Sequence, residues 1–259
     1  MPPVVPVPAR RALLLGGAGL LLAGCTREPS PAAPSATSPA GTPAASGTPT
    51  AAASASSPSP TAPALPPGLT ADDVRAGVLG ADVPQAGGGV LTAVPGSVAA
   101  PPSARVRTVR VEVEQDLVDA GLLDPVAFAD FALGVLNDPR SWGAGGAMSF
   151  ARTDGDAEMR LVLATPDTSA ALCRPLRTLG TLSCRSGDAA VLTWYRWVQA
   201  IPDYGQDRTG YRQYVVNHEI GHVLGHGHDP APGPGRLAPV MMQQTKGLEG
   251  ALPNPWPNP

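Results

Sequence analysis

The chain has 259 residues, with 18 Lys or Arg against 21 Asp or Glu, which gives a net charge of −3 at neutral pH. This near-even balance gives no excess of basic residues that would attract nucleic acids or another acidic polymer, so we expect no nucleic-acid partner. The length allows one domain with its own core beside non-globular segments.

The N-terminus has the pattern of an export signal. Arg10 and Arg11 precede an apolar run, 12–23, which is too short to cross a bilayer but suits the core of a signal peptide. The run ends in Leu-Ala-Gly-Cys25, which resembles the lipobox of bacterial lipoproteins, whose cysteine is lipidated and becomes the first mature residue. We predict a lipoprotein signal peptide over 1–25 and a lipid anchor at Cys25, on the outer face of the cell membrane. A buried or unpaired cysteine is the alternative, and the paired arginines leave Sec and twin-arginine export both open.

Residues 26–67 are dominated by Pro, Ala, Ser and Thr and have almost no large apolar side chains. Such a segment cannot bury enough surface to offset the entropy of ordering, so we predict a disordered linker that tethers the folded part. Residues 68–100 are expected to form a transition segment, with 90–94 as a candidate strand. The remaining residues, 101–259, are long enough for one folded domain, and we expect a monomer.

Apolar patterns in this folded part predict an α+β domain with a mixed, twisted sheet packed on a helix. Residues 106–113 alternate Val with Arg, Thr and Glu, which is typical of a half-buried strand. Residues 126–137 have helical spacing, with Asp124 as the N-cap and Pro125 at the first helical position. A second helix is predicted at 210–224, with apolar residues on more than one side, as expected beneath a sheet. The other predicted strands are 147–152, 159–164 and 189–198.

Cys173 and Cys184 are the only cysteines besides Cys25. In an exported protein, an even number of remaining cysteines favours a disulfide, and without a C-x-x-C spacing a metal site is the weaker interpretation. A bridge that closes the loop 174–183 would contribute about 2–3 kcal/mol in the chain-entropy model.

All four histidines lie within one short run that contains H-E-x-x-H-x-x-G-x-x-H. On a helix, His218 and His222 lie one turn apart on the same face, so both imidazoles can bind one metal ion. Glu219 borders that ion and is positioned to take a proton from a water molecule that the metal activates. Three protein ligands leave a fourth position for water or substrate, so the pattern predicts a catalytic zinc site.

The third ligand has two candidates, His228 and His226. Gly225 can adopt the left-handed conformation that ends a helix, which turns the chain so that His228 comes back towards the metal. His226 would lie on the ligand face of an uninterrupted helix, but the glycines on both its sides make that helix costly, at about 1 kcal/mol each. We therefore favour His228 and place His226 at the rim of the site. Asp229 either holds the turn or a ligand by a hydrogen bond, or is a solvated turn residue.

The long motif resembles that of the metzincin clan of zinc metallopeptidases. The resemblance implies a zincin-like fold, zinc bound by the three histidines, and Glu219 as the general base. It also implies a methionine turn beneath the zinc, for which Pro-Val-Met-Met-Gln is the candidate. We favour Met241 over Met242, while plain core packing is the alternative for both. The chain departs from better-known metzincins because no tyrosine follows this turn and the segment after it is short and rich in proline, so we expect no long C-terminal helix.

A narrower resemblance rests on Val-Asn-His-Glu-x-Gly-His-x-Leu-Gly-His-Gly-His, followed by Pro-Gly-Pro-Gly and Pro-Val-Met. This pattern resembles a family of secreted or membrane-anchored bacterial proteins, typical of actinobacteria, and covers roughly 81–259. In metzincins, the edge strand before the last strand of the sheet pairs with an extended substrate. Residues 181–186 occupy that place in chain order, so we expect the disulfide to stiffen a peptide-binding edge.

These features predict a zinc-dependent endopeptidase that hydrolyses protein or peptide substrates at the bacterial cell envelope. Two alternatives stay open: a zinc-stabilised binding module without catalysis, and a zinc hydrolase acting on cell-wall peptides. A structural zinc site needs no general base and is usually closed by a fourth ligand, which argues against the binding module, although His226 could supply that ligand. No residue in the sequence separates protein substrates from cell-wall substrates.

Overall fold

The computed structural model describes residues 65–259 of the chain. The signal peptide predicted over 1–25, the lipidated Cys25 and nearly all of the linker predicted over 26–67 lie outside these residues. Within the described part, none of the helices is both long enough and apolar enough to cross a lipid bilayer.

A mixed, open sheet forms the centre of the described residues. Its strands are β1 Leu91–Ala93, β2 Val106–Glu114, β3 Ser149–Arg152, β4 Met159–Ala164, β5 Cys184–Ser186 and β6 Ala189–Thr193. The order across the sheet is β1-β2-β4-β6-β5, with β3 paired to the first half of β2. Strands β2, β3, β4 and β6 run parallel, while β1 and β5 are antiparallel to their neighbours. The predicted α+β class with a mixed sheet is confirmed.

Helices connect and cover these strands. They are α1 Ala71–Arg75, α2 Gln115–Asp119, α3 Pro125–Leu136, α4 Pro166–Leu172, α5 Trp194–Gln199 and α6 Arg208–Val223, with 3₁₀ turns at Ala144–Gly146, Pro202–Tyr204 and Gln244–Lys246. Asp124 caps α3 by accepting hydrogen bonds from the backbone N–H groups of Val126 and Ala127, and Pro125 takes the first position. The two longer predicted helices thus agree with α3 and α6 to within two residues at each end.

The sheet separates two apolar layers, because alternate residues of a strand face opposite sides. Leu161 and Leu163 of β4 belong to the larger core, which α3 and α6 cover. Val162 and Ala164 of the same strand belong to a smaller cluster that includes Cys173 and Cys184. Helix α6 packs against both β6 and α3, and this burial fixes the position of the histidine motif that it carries.

The prediction of a strand over 189–198 is wrong in its second half. Strand β6 ends at Thr193, and the chain turns directly into α5. Trp194 and Trp197 donate their indole N–H groups to backbone carbonyls within 76–82, at 2.9 and 3.0 Å. These aromatic side chains favour a strand locally, but tertiary packing overrides that preference and anchors a helix.

The folded part begins earlier than the boundary predicted at residue 101. Val78 is fully buried in the larger core, and Asp73 of α1 is ion-paired with Arg208 and Arg212 of α6. Burial alone would raise the pKa of Asp73, but hydrogen bonds from Arg208, a nearby threonine and Arg212 outweigh it and hold this pKa well below its usual range. Segment 68–100 is therefore packed into the domain, and the strand expected near residue 90 is β1.

Candidate metal centre

Helix α6 carries the first half of the histidine motif. Asp207 caps its N-terminus by accepting a hydrogen bond from the backbone N–H of Gly210 at 2.7 Å. Most of the helix is buried, and His218 and Glu219 are each only 4% exposed. The helix ends just before Gly225, whose φ of 101° is a left-handed value that glycine adopts without strain. The chain therefore turns at the glycine where the motif predicts the end of the helix.

Three histidines converge where this turn returns to the helix. One ring nitrogen from each of His218, His222 and His228 lies within 4.8 Å of the others, and the Nε2 atoms of His222 and His228 are 3.1 Å apart. His218 Nδ1 donates to the carbonyl of Val240 at 2.8 Å, and His222 Nδ1 donates to the carbonyl of His226 at 2.9 Å. In both rings Nε2 is left as the lone-pair nitrogen, which is the form that binds a metal.

Two of these imidazoles have lowered pKa values, which favours the neutral form that can bind a cation. Burial, with a further contribution from the neighbouring histidines, lowers the pKa of His218 to about 3. Burial and the nearby His222 also lower the pKa of His228. Neutral imidazoles are ligands for zinc and other transition metals, whereas calcium and magnesium prefer oxygen. The three residues can hold a metal ion, and their nitrogen donors suit the transition-metal class.

Glu219 lies in the same cleft, next in sequence to the first of these histidines. Its carboxylate is buried, and its Oε2 has no hydrogen-bond partner among the described residues. Burial raises the pKa of Glu219 to about 8. A buried carboxylate without a partner is costly, so its presence beside three convergent imidazoles indicates a role towards a ligand that enters the cleft.

His226 points away from this cluster. Its ring stacks on Trp142 with the ring centroids 4.3 Å apart. Only its backbone carbonyl contributes to the site, by accepting the hydrogen bond from His222. Of the two candidates for the third ligand, the structure brings His228 into the cluster and leaves His226 at the rim. Asp229 is exposed, and its side chain makes no hydrogen bond within the described part, which favours the solvated-turn alternative.

The turn that contains Met241 packs directly against the motif helix. A Cβ atom on Gly221 would lie 2.5 Å from Met241 Sδ and 2.6 Å from Trp142 Cζ2, so only glycine fits between these side chains. Met242 packs instead in a separate apolar cluster. This position favours Met241 over Met242 as the residue beneath the site.

The sequence does not predict two further contacts to this turn. Val240 offers its carbonyl to His218, and the hydroxyl of Tyr214 donates to the carbonyl of Met242 at 3.0 Å. Tyr214 lines the cleft one helical turn before His218, so its i, i+4 spacing to the first histidine was an available signal. Val240 acts only through its backbone, which no side-chain pattern reveals.

An open cleft of about 440 Å³ lies over the three histidines. Part of its wall is β5 with the loop before it, which the Cys173–Cys184 disulfide closes with Cα atoms 6.0 Å apart, so the predicted bridge is confirmed. The predicted edge segment 181–186 contains β5, which lies at the edge of the sheet and is antiparallel to β6. The turn after Met241 contributes another part of the lining, with Gln243, Thr245 and Lys246.

The fold and the site together define a mixed α/β domain in which three histidines can hold a metal ion at an open cleft. Residues 78–252 match a protein family described as Protein of unknown function (DUF3152), and the chain belongs to this family. No curated protein matches the chain, and no solved structure matches it either.

Replacing His228 by Ala should abolish tight metal binding, whereas replacing His226 by Ala should leave it nearly unchanged. His228 contributes one of the three converging nitrogens, while His226 contributes a backbone carbonyl that alanine retains. We expect zinc affinity, measured by competition with a chromogenic chelator, to fall at least ~100-fold in His228→Ala, beyond the loss typical of residues that only orient a ligand. Equal losses in both variants would contradict this assignment.

Replacing Gly221 by Ala tests the contact between α6 and the Met241 turn. The added Cβ would displace Met241 or Trp142, at a cost in unfolding free energy of about 1–3 kcal/mol. The matched control is Gly134→Ala in α3, where nothing lies within 4 Å of an added Cβ and stability should rise by up to about 1 kcal/mol. Urea unfolding should show opposite shifts, and a Gly221→Ala protein as stable as wild type would rule out the tight contact.

Proposed function

We propose that the chain is a zinc-dependent endopeptidase of the metzincin type, which hydrolyses protein or peptide substrates at the outer face of a bacterial cell membrane. The observation that carries this proposal is the convergence of three histidines beside the buried, unpartnered carboxylate of Glu219 at one open cleft. The location at the membrane rests on the lipid anchor predicted at Cys25.

The ligand set supports a catalytic site over a structural one. Structural zinc sites are usually closed by four protein ligands, whereas catalytic sites keep one position open. In the part of the chain that the structure describes, the cluster contains three ligands, His218, His222 and His228. The candidate for a fourth, His226, is stacked on Trp142 instead. This arrangement favours a hydrolase over the non-catalytic binding module.

The residues around the site suit peptide hydrolysis. Zinc, when bound, supplies a Lewis acid that polarises the scissile carbonyl and lowers the pKa of water towards about 7. Glu219 Oε2 takes a proton from the attacking water and passes it to the nitrogen of the leaving amine as the C–N bond breaks. Burial raises the pKa of Glu219 towards the range in which one carboxyl group can both accept a proton and release it again. The carbonyls of Val240 and His226 keep the two helical histidines in the ligating tautomer.

Strand β5 offers a surface for an extended substrate. It is an edge strand, with β6 as its one neighbour among the described strands. The cleft runs beside β5, and Cys184 and Arg185 of this strand line it. A peptide that added to this edge as a further strand would form main-chain hydrogen bonds and present its backbone to the three histidines.

Replacing Glu219 by Gln should lower kcat for cleavage of an unfolded protein by about 10²–10⁴-fold without loss of zinc, because glutamine keeps the shape of the side chain but cannot accept the proton. Cleavage by wild type and variant is compared with zinc and after chelation. A folded, zinc-bound Glu219→Gln protein with full activity would overturn the proposal. Failure of folded, zinc-bound wild type to cleave would favour the binding module or a hydrolase restricted to cell-wall peptides.

Breaking the disulfide by Cys173→Ser and Cys184→Ser should raise KM for a peptide substrate and leave kcat nearly unchanged. The bridge fixes the first residue of β5, where the peptide would pair, and does not touch the histidines. The unfolding free energy should also fall by about 2–3 kcal/mol, so kinetics are measured at a temperature where circular dichroism shows the variant folded. An unchanged KM in the folded variant would show that the bridge does not support substrate binding.

A further inference from the structure

Outside the cleft, most arginines of the described part lie beside carboxylates. A guanidinium nitrogen lies within 4.0 Å of an Asp or Glu oxygen in Arg75, Arg105, Arg107, Arg110, Arg140, Arg160, Arg208 and Arg212. Arg152 and Arg196 donate to backbone carbonyls instead. Arg174 and Arg236 are exposed outside the cleft, and within residues 65–259 neither has a carboxylate oxygen within 4.0 Å.

Three cations of the cleft differ from this pattern. Arg177, Arg185 and Lys246 line the cleft and are exposed, and in the structure of residues 65–259 none has a carboxylate oxygen within 4.0 Å. Arg185 Nε donates to the carbonyl of Gly187 at 2.9 Å, and Lys246 Nζ donates to the side-chain oxygen of Gln243 at 3.0 Å. Both partners are neutral, so the positive charges are available to a ligand.

These cations come from separate elements around the candidate metal centre. Arg185 pairs in register with Ala190 of β6, which belongs to the larger core, so Arg185 lies on the face of the sheet that α6 covers. Its Nη1 is 3.5 Å from the carbonyl of His222. Arg177 lies in the loop before β5, and Lys246 ends the last 3₁₀ turn.

Glu219 is the one acidic residue in the lining of this cleft. The cleft is therefore electropositive on a chain whose net charge is −3, and a bound metal ion would add to its positive charge. Like charges held close together repel one another, and a concave site with one sign of charge attracts ligands of the opposite sign. An anionic group on the substrate would relieve this repulsion.

We propose that the cleft selects peptides that carry carboxylates near the scissile bond, with Arg185 as the principal specificity residue and Arg177 and Lys246 in support. This inference rests on the proposed endopeptidase function and names its substrate class. A guanidinium can bind a carboxylate through two parallel N–H bonds, and Arg185 lies beside a residue of the metal cluster. The carboxylate is that of an Asp or Glu side chain or of a peptide C-terminus.

Fluorescence anisotropy with the full-length, zinc-loaded Glu219→Gln protein measures binding without consuming the peptide. Three labelled, amidated peptides differ only in having Glu, Gln or Lys at the central positions, and a fourth is the Gln peptide with a free C-terminus. The Glu peptide should bind about tenfold more tightly than the amidated Gln peptide, because each exposed ion pair contributes up to about fivefold. Adding Arg185→Gln should remove most of this preference, whereas Arg236→Gln, at an exposed arginine outside the cleft, should keep it.

Equal affinities for all four peptides would overturn the inference, as would a Glu preference that survives joint replacement of Arg177, Arg185 and Lys246 by Gln. A gain for the amidated Glu peptide supports recognition of side-chain carboxylates, and a gain only for the free C-terminus supports recognition of a terminal carboxylate.

Cleavage by the wild-type protein distinguishes the failure of the endopeptidase proposal from the failure of the charge-selection proposal. A Glu preference in binding without any cleavage contradicts the endopeptidase alone, while equal binding and equal cleavage of the peptides contradict the charge selection alone.

Discussion

The contact between helix α6 and the Met241 turn is the constraint on which the rest of the site depends. The missing side chain of Gly221 lets this turn approach the helix closely. The residues beside Met241 then reach two side chains of the helix: the Val240 carbonyl accepts a hydrogen bond from His218, and the Met242 carbonyl accepts one from Tyr214. The tautomer of His218 therefore follows from a backbone approach that one added Cβ would block.

In the second half of the motif, a backbone carbonyl again orients a histidine by accepting a hydrogen bond from its ring. After the helix has ended before Gly225, the backbone carbonyl of His226 accepts the hydrogen bond from His222, and the chain then returns with His228. Metal-binding histidines are oriented in proteins by carboxylates or by carbonyls, and here both observed partners are carbonyls. Because these orienting groups are neutral, they add no negative charge to the cleft, in whose lining Glu219 is the one acidic residue.

Local sequence patterns predict those parts of the structure that depend on residues close together in the chain. The helices α3 and α6 and the spacing of the histidines belong to this class, because caps and helical periodicity are read within a few residues. The segment 194–199 becomes a helix through indole hydrogen bonds to residues distant in sequence, which no window of local propensity contains. The segment 68–100 was expected to be only a transition to the domain, yet its Asp73 pairs with two arginines of α6. The carbonyl of Val240 carries no side-chain signal at all.

The proposed function requires that the three histidines hold a metal ion with coordination open to the cleft. The most direct measurement replaces zinc by cobalt(II), whose visible absorption reports coordination geometry, and titrates the loaded protein with a small hydroxamate, a metal-chelating group. We expect a spectral change that saturates at about one equivalent of hydroxamate, because each protein binds one metal ion that is open to the cleft. An unchanged spectrum while cobalt stays bound would mean that the protein itself closes the coordination shell, which is incompatible with a catalytic site.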